Sequence, residues 1–372
     1  MLALCEEGHV VSIVRASTCD YYKIEHLRRT PTSLLMFIRH MVTNRRLVIK
    51  LLQEYDDSRY DLKTIPARQK CQLEALRWNR YFTPKVYFGL APLVYLNLAQ
   101  KIVGIGEIIQ NPKQEILEKD AEYVLLMRQL PKSRRLDQLL RANDKATVYE
   151  QIRLVTTHIA EMHNKLLASP KPGSLEKDAV MRWGSPEQLR EKLEENLLFF
   201  DRILVGEMSS RYQDYSGLKE SLLDVFTQAK YTESFLQRLK ERRIKRCHGD
   251  LKATNIWITQ YHDQRTRRPR RSIKLIDVID FNVSFSNIDV LSDFALFVAD
   301  IHARTQSELM VKTMIDDYLD MTEQNNGVAR LLLHYYIAEK TMFSAVINTL
   351  DDGKPELGLY FLELMAFYIQ KI

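Results

Sequence analysis

The spacing of apolar positions changes near residue 130, and this change predicts two regions of different secondary structure. Two short apolar runs, Leu34 to Ile38 and Leu47 to Ile49, flank the polar stretch Thr43 to Arg46, which is a pattern typical of a hairpin. Residues 66–81 carry apolar positions at helical spacing and predict a helix after the hairpin. Two further strands are predicted over residues 91–98 and 123–127. The first region is therefore predicted to be a small antiparallel sheet with one helix.

Helical spacing dominates from about residue 131 onward. Apolar residues recur every three or four positions through Ile152, Val155 and Ile159, which places them on one face of a helix. Further helices are predicted over residues 189–203, 218–228, 232–241 and from 288 onward. Strand-like sequence returns only at residues 255–259 and 272–281, which predicts one hairpin within a mainly helical region. The predicted fold class is therefore α+β with two lobes, a β-rich lobe over residues 1–126 and a mainly α-helical lobe over residues 127–372.

Composition is that of an ordinary globular protein. The 372 residues are 45% hydrophobic and 27% charged, and the net charge of +6 suits an anionic ligand such as a nucleotide without indicating a nucleic-acid binder. The four cysteines are too widely spaced for a zinc motif and too few for a disulfide framework, which favours a reducing compartment. The amino terminus has no secretory pattern, and the apolar runs are shorter than the roughly 20 residues that cross a bilayer. We therefore expect a cytoplasmic protein without a membrane partner.

The chemistry of the chain is indicated by the octet His248 to Asn255. Phosphoryl transfer needs a carboxylate that orients the attacking hydroxyl and accepts its proton, together with oxygen ligands for magnesium. Asp250 and, five residues later, Asn255 supply a catalytic base and an amide ligand on a loop that leads into a strand. His248 would support this loop from behind. The alternative is an ordinary turn, in which Asp250 caps a neighbouring element and Asn255 opens the strand.

Two more carboxylates follow in the strand predicted over Ile273 to Asn282. Asp280, which precedes Phe281, is the favoured magnesium ligand, and Asp277 is a rival for the same role. Residues three apart on a strand point to opposite faces, so the two carboxylates are not expected to occupy equivalent positions.

These motifs resemble the aminoglycoside phosphotransferase and choline kinase superfamily, which shares its architecture with protein kinases. The segments Cys247 to Leu251, Asp277 to Asn282 and Ile288 to Ala295 look closest to a bacterial branch that is loosely labelled gluconate-kinase-like. The resemblance implies a bilobal protein-kinase-like fold and a phosphotransferase that uses Mg²⁺ with ATP or another nucleoside triphosphate. It also implies that Asp293, in the helix after the hairpin, anchors the catalytic loop.

The resemblance extends to the first lobe and assigns three residues to the nucleotide. Lys50 would bind the α- and β-phosphates, and Glu74 in the following helix would be its partner carboxylate. Met127 lies in Leu125 to Arg128, which looks like the hinge whose backbone meets the adenine. The alternative for Lys50 and Glu74 is a pair of exposed charges, and the alternative for Leu125 to Arg128 is the end of a buried strand. Since neither a glycine-rich loop before Lys50 nor a Gly-x-x-x-x-Gly-Lys sequence occurs, a P-loop enzyme is excluded.

The same segments favour a small-molecule acceptor over a protein. Lys252 matches the catalytic-loop lysine of Ser/Thr protein kinases, where it neutralises charge on the transferred phosphoryl group. However, Gly249 stands in place of an arginine, Asn282 in place of a glycine, and no Ala-Pro-Glu sequence follows. A protein kinase and a non-catalytic nucleotide-binding protein of the same fold are the alternatives. The basic turn Arg265 to Arg271 could contact nucleic acid, but a solvated turn is the favoured interpretation.

The acceptor hydroxyl compound is expected to bind among the carboxy-terminal helices. Candidate polar contacts are Tyr335, Tyr336, Glu339 and Lys340, and core packing explains them equally well. Sugars, sugar acids, amino alcohols and aminoglycosides are all compatible with such a site.

Overall fold

The structure is a computed structural model that describes residues 12–15, 20–56, 61–97, 102–166, 182–204, 209–212, 215–262, 269–351 and 353–372. The chain divides into two compact units. The first comprises Met1–Lys132 together with Lys274–Val283, and the second comprises Ser133–Ile273 together with Ser284–Ile372. The predicted boundary between residues 126 and 127 lies a few residues before the end of the first segment of this unit at Lys132. The prediction divided the chain once, so it did not assign residues 274–283 to the first unit.

Seven strands of the first unit form a closed barrel in the order β1-β2-β3-β4-β7-β5-β6. The strands are Ser12–Arg15 (β1), Asp20–Arg29 (β2), Ser33–His40 (β3), Arg46–Leu52 (β4), Tyr87–Asn97 (β5), Ile102–Ile105 (β6) and Tyr123–Arg128 (β7). Neighbouring strands are antiparallel except β1 and β6, which close the barrel in parallel. The predicted hairpin is confirmed as β3 and β4, with Ser33 opposite Leu52 and Arg39 opposite Arg46.

One long helix, α1 (Ile65–Phe82), accompanies these strands and confirms the helix predicted over residues 66–81. It begins at Thr64, whose side-chain oxygen accepts a hydrogen bond from the backbone N–H of Ala67 at 3.3 Å, and Pro66 lies in its first turn. It ends at Thr83, whose backbone N–H donates to the carbonyl of Asn79 at 2.8 Å. Both ends of the helix are therefore fixed by local sequence.

Alternation along β4 separates two apolar clusters and places Lys50. Ile49 and Leu51 belong to a cluster inside the barrel with residues of β2, β3, β5, β6 and β7. Val48 belongs to a second cluster, which also contains Ala75 and Leu76 of α1. Because successive side chains of a strand point to opposite faces, Lys50 projects on the same face as Val48, toward α1.

The second unit is mainly helical, as predicted. Its helices are Leu136–Ala142 (α2), Lys145–Lys165 (α3), Pro186–Leu204 (α4), Ser209–Tyr212 (α5), Leu218–Asp224 (α6), Ala229–Lys240 (α7), Val290–Thr305 (α8), Glu308–Met321 (α9), Gly327–Val346 (α10) and Pro355–Ile369 (α11). A π-helical turn, Ile347–Asp351, follows α10. Among the helices of the described residues, none has the length and apolar character that a membrane span requires. The α+β fold class is confirmed.

Two short strand pairs complete the fold. Ile244–Arg246 (β8) pairs antiparallel with Asn287–Asp289 (β11), and Ile256–His262 (β9) pairs with Pro269–Leu275 (β10). β9 and β10 confirm the hairpin predicted in the helical region, although β10 ends at Leu275 and not at residue 281. Part of the basic turn, residues 263–268, lies outside the described residues. Arg271 lies within β10 and pairs with Glu150 at 2.7 Å.

Candidate active site

In the first unit, Lys50 lies beside the carboxylates that follow β10. Its Nζ atom is 3.5 Å from Oδ1 of Asp277, and its side chain is 19% exposed. Burial alone would lower the pKa of Lys50, but the carboxylates of Asp277 and Asp280 outweigh this effect and hold the pKa above its usual value. Lys50 is therefore a charged ammonium group in the electrostatic reach of both candidate magnesium ligands.

The end of α1 fixes the start of this acidic segment. The hydroxyl of Thr83 donates to the carbonyl of Leu275 at 2.6 Å and accepts from the backbone N–H of the same residue at 3.0 Å. Three residues further along, the backbone N–H of Val278 donates to Oδ1 of Asn79 at 3.2 Å. The backbone at the end of β10 and just beyond it is therefore hydrogen-bonded by the side chains of Asn79 in α1 and of Thr83 directly after α1.

Asp277 lies two residues beyond the end of β10 and has a backbone conformation that differs from the predicted strand. Its φ of 63° lies in the left-handed region, and its backbone N–H donates to the phenol oxygen of Tyr87 at 3.2 Å. The strand predicted through residue 281 is wrong beyond Leu275, because the backbone turns out of the ladder here. The opposite-face argument that separated Asp277 from Asp280 therefore does not apply, and both carboxylates act on Lys50.

Cys71 is a neighbour of Asp280 that sequence reasoning did not single out. Its Sγ lies 3.8 Å from Oδ1 of Asp280, to which the thiol donates. Burial, reinforced by the negative charge of Asp280, raises the pKa of Cys71. The thiol therefore stays protonated at neutral pH and stabilises Asp280 as a hydrogen-bond donor.

In the part of the chain that the structure describes, Glu74 is paired with residues other than Lys50. Its carboxylate accepts from Nε1 of Trp78 at 2.7 Å and lies 3.6 Å from the guanidinium of Arg77. Both partners are on α1 itself, three and four residues away, where helical neighbours meet. The carboxylate next to Lys50 is that of Asp277, which the sequence offered as a metal ligand.

Met127, the predicted hinge residue, lies near the end of β7. β7 is an interior strand of the barrel, and Met127 is opposite Val48 on β4 and Tyr87 on β5. Its side chain is 9% exposed and belongs to the apolar cluster beside α1. The side chain therefore packs in the core, and only the backbone after it could meet a ligand.

In the second unit, the octet His248 to Asn255 forms a loop between β8 and β9, held by a buried carboxylate. Asp293 lies in the first turn of α8, which follows directly from β11, the partner of β8. Its Oδ2 accepts from the backbone N–H of His248 at 3.1 Å, and its Oδ1 accepts from the backbone N–H of Gly249 at 2.8 Å. The contact expected from the family resemblance is present as two main-chain hydrogen bonds.

A histidine from α3 completes the environment of this carboxylate. Nε2 of His163 lies 3.0 Å from Oδ2 of Asp293, and Nδ1 of His163 lies 2.7 Å from the hydroxyl of Tyr318. Burial would raise the pKa of Asp293, but the hydrogen bond and charge of His163, with the N–H of Gly249, outweigh it and lower the pKa. Asp293 is therefore a buried anion whose hydrogen-bond acceptors are directed at the loop.

Asp250, the candidate base, is held by two groups of the octet. Nδ2 of Asn255 donates to its Oδ2 at 2.8 Å and to its backbone carbonyl at 3.1 Å. Nζ of Lys252 lies 3.0 Å from the same carboxylate oxygen. The backbone N–H of Asp250 donates to Nδ1 of His248 at 3.3 Å, and His248 is fully buried, which agrees with a supporting role. The octet therefore brings a carboxylate, an ammonium group and an amide into direct contact.

Asp300 is a second support for the loop that the sequence did not reveal. Its Oδ2 accepts from the backbone N–H of Ala253 at 2.7 Å, and both of its carboxylate oxygens lie 2.9 Å from Nε of Arg304. Asp300 follows Asp293 by seven residues on α8, so both carboxylates lie on one face, two helical turns apart. The seven-residue spacing of Asp293 and Asp300 in an otherwise apolar helix was the sequence signal that could have identified Asp300 as a second support.

Comparison with solved structures finds kinases that act on small molecules. An ethanolamine kinase from Plasmodium vivax aligns over 96% of this chain and 86% of its own, at 11% identity and a TM-score of 0.48. A GDP complex of an aminoglycoside 2'-phosphotransferase aligns over 93% and 92%, at 13% identity and a TM-score of 0.45. A microcompartment-associated aminopropanol kinase aligns over 100% and 96%, at 10% identity and a TM-score of 0.47.

No protein-family model matches the chain, and no curated protein sequence matches it.

The predicted acceptor contacts divide into two kinds. Tyr335 and Tyr336 are each 1% exposed and pack against aromatic rings, so they belong to the core of the second unit. Glu339 and Lys340 instead form an ion pair of 3.1 Å. The charged pair therefore retains groups that a polar ligand could use, and of the two tyrosines the hydroxyl of Tyr336 is buried without a hydrogen-bond partner among the described residues.

Proposed function

We propose that this protein is an ATP- and magnesium-dependent phosphotransferase that acts on a hydroxyl group of a small molecule, with Asp250 as the catalytic base. The observation that carries this proposal is the geometry of Asp250, whose Oδ2 is bonded to both Asn255 and Lys252 on a loop anchored by its main chain. Such a carboxylate is oriented before the substrate arrives, which is the contribution that phosphoryl transfer requires of a base.

In the proposed reaction, Asp250 orients the acceptor hydroxyl and accepts its proton as the acceptor oxygen bonds to the γ-phosphorus of ATP. The bond from that phosphorus to the bridging oxygen breaks at the same time, and ADP leaves. Lys252, whose side chain is 37% exposed, supplies positive charge beside this carboxylate and near the transferred group. Lys50 binds phosphate oxygens, and Asp277 and Asp280 keep it charged at neutral pH.

The residues present fit a magnesium ion, which prefers oxygen ligands. Asp280, with Asp277 as its rival, offers carboxylate oxygens, and Asn255 offers its carbonyl oxygen because its Nδ2 is bonded to Asp250. Magnesium would supply positive charge to the phosphates of the nucleotide.

A small molecule is favoured as the acceptor because the chain leaves little room for a peptide-binding segment. After Asp280 and Phe281 there is only a single turn of 3-10 helix, Val283–Phe285, before β11 and α8 follow. Protein kinases use a longer activation segment at this point, and its ordering controls their activity.

The test is magnesium-dependent conversion of ATP to ADP over a panel of sugars, sugar acids, amino alcohols and aminoglycosides. Replacing Asp250 with Asn removes the base but keeps the size of the side chain, and we expect turnover to fall by about 10²-fold or more. Asp201→Asn, which changes an aspartate of α4 that pairs with Lys219, is the matched control and should keep full activity. Undiminished turnover by the Asp250 variant would refute the assignment.

A further inference from the structure

Three charged side chains of the second unit converge between α4 and α10. On α10, Nζ of Lys340 lies 3.1 Å from Oε2 of Glu339, and the two side chains are 13% and 8% exposed. Lys192 of α4 interacts electrostatically with both of them. We call Lys192, Glu339 and Lys340 the charged triad.

Lys192 is held in place by neutral groups. Its Nζ donates to the backbone carbonyl of Ser284 at 3.4 Å and lies 4.9 Å from the centre of the Phe285 ring. A carbonyl and an aromatic face orient an ammonium group, but they do not cancel its charge. These two contacts therefore orient Lys192 without contributing an opposing charge.

The charges of the triad do not balance. Lys340 and Lys192 hold the pKa of Glu339 below its usual value against the effect of burial, so its carboxylate is ionised. Burial and repulsion from Lys340 lower the pKa of Lys192 to about 8, against the attraction of Glu339 and the exposed Glu195. Two half-buried or buried ammonium groups thus face one buried carboxylate, and an incoming anion would offset the cost of the excess charge.

Lys192 contacts a segment that closely follows a candidate metal ligand in the sequence. Ser284 and Phe285, which contact Lys192, follow the candidate metal ligand Asp280 by four and five residues. Lys192 on α4, with Glu339 and Lys340 on α10, is therefore linked both to this segment and to the carboxy-terminal helices in which the acceptor is expected to bind.

We propose that Lys192 and Lys340 form a subsite for an acidic group of the acceptor, so that the substrate is a hydroxy compound that carries a carboxylate or a phosphate. This inference rests on the proposed phosphotransferase function. An amine-bearing acceptor is disfavoured here, because its ammonium group would add a third positive charge to the triad. The carboxylate of Glu339 sets the orientation of Lys340 and limits the net charge that the empty subsite carries.

Turnover of compounds matched in size and differing in charge tests the inference. The three-carbon set is D-glycerate, sn-glycerol 3-phosphate, glycerol and 2-amino-1,3-propanediol, and the six-carbon set is D-glucuronate, D-glucose 6-phosphate, D-glucose and D-glucosamine. We expect the anionic members to have at least tenfold higher kcat/KM than the neutral member, and the preferred anion distinguishes carboxylate from phosphate. Preference for the neutral or cationic member would overturn the proposal.

Variants of the triad should change KM in opposite directions. Lys192→Met should raise KM for the preferred anion at least tenfold with little change in kcat and should leave any neutral substrate unaffected. Glu339→Gln should lower KM for the anion, because it removes the competing carboxylate. Lys219→Met, which changes a lysine paired with Asp201, is the matched control. An equal effect of Lys192→Met on charged and neutral substrates would contradict an anion subsite.

Protection of Lys192 from chemical modification tests the subsite without turnover. An amine whose pKa is about 8 reacts readily with acetic anhydride at pH 8, and peptide mapping by mass spectrometry measures its acetylation. D-glycerate or sn-glycerol 3-phosphate should reduce acetylation of Lys192 at least twofold, whereas glycerol should not. Protection without turnover would support the subsite and count against the phosphotransferase. Turnover that depends on Asp250, without protection, would retain the phosphotransferase and overturn the subsite.

Discussion

The two groups of candidate site residues are held by different physical means. The loop from His248 to Asn255 is fixed through main-chain amides that donate to Asp293, whose side chain is fully buried. Lys50 is instead paired with Asp277, whose side chain is 63% exposed. Buried hydrogen-bonded charges are shielded from water and salt, whereas exposed pairs are weakened by both. The proposed base, Asp250, therefore lies on a loop that is held by buried contacts, whereas Lys50 is held by a contact that solvent or a ligand can replace.

The largest effect is expected for the anchor of the loop. Asp293→Ala should lower the free energy of unfolding by about 3–5 kcal/mol, because His163 and two backbone N–H groups lose a buried partner. Asp144→Ala removes an exposed aspartate that caps α3 and should cost only about 1 kcal/mol. Urea unfolding of the two variants measures both values. Equal losses would mean that the buried anchor is no more important than a surface cap.

A smaller effect is expected for the lysine. Lys50→Met should weaken binding of magnesium ATP about 10- to 100-fold, which corresponds to the roughly 1.5–3 kcal/mol of hydrogen bonds to a charged group. Glu74→Gln should leave the affinity unchanged, because Glu74 is bonded to Trp78 and Arg77. Isothermal titration calorimetry gives both affinities. If Glu74→Gln is as damaging as Lys50→Met, the pair implied by the family resemblance forms in the nucleotide complex.

The two regions should respond to opposite ends of the pH scale. The folded-state pKa of Asp293 is lowered, so its stabilisation is present above about pH 4, the usual aspartate pKa, and is lost as the pH falls through the lower folded value. The pKa of Lys50 is raised, so its stabilisation is present below about pH 10.4 and is lost as the pH rises through the higher folded value.

Unfolding free energies from pH 2 to pH 11 test this contrast. Asp293→Asn should flatten the acidic limb and Lys50→Met the alkaline limb. Flattening of the same limb by both variants would show that the two regions titrate together.

The smallest effect is expected for the exposed partner of Lys50. Asp277→Asn should lower the free energy of unfolding by less than about 1 kcal/mol, because the carboxylate is largely in solvent. Added sodium chloride should shrink the difference further. A loss comparable to that of the Asp293 variant would mean that the acidic segment is as firmly held as the loop.

Contiguous motifs made the second unit more predictable than the first. Asp250, Lys252 and Asn255 lie within six residues, so their contacts follow from local chain geometry, and the structure has them in direct contact. The partner of Lys50 depended on the rotation of α1 and on where β10 ends. At the end of that strand Thr83 binds the backbone of Leu275, and just beyond it Asn79 binds the backbone of Val278, although both residues lie almost 200 positions earlier in the chain.

Charge clusters assembled from distant helices were also beyond the sequence. Glu339 and Lys340 could be named as polar residues of one predicted helix, but nothing in the sequence connected them with Lys192 on α4. Similarly, the sequence alone does not show that Asp300 accepts a hydrogen bond from the backbone N–H of Ala253. Tertiary packing, which no local pattern encodes, decides these contacts.

The left-handed backbone at Asp277 has a consequence for which sequences this site can accept. Glycine adopts such a conformation freely, asparagine and aspartate adopt it more readily than most other residues, and β-branched residues are strongly disfavoured. In a library of variants, position 277 should therefore accept few residues even where catalysis is not selected, whereas position 280, whose φ is not positive, should be limited only by function. At position 277 the backbone conformation therefore restricts which amino acids are tolerated, in addition to any requirement for a negative charge.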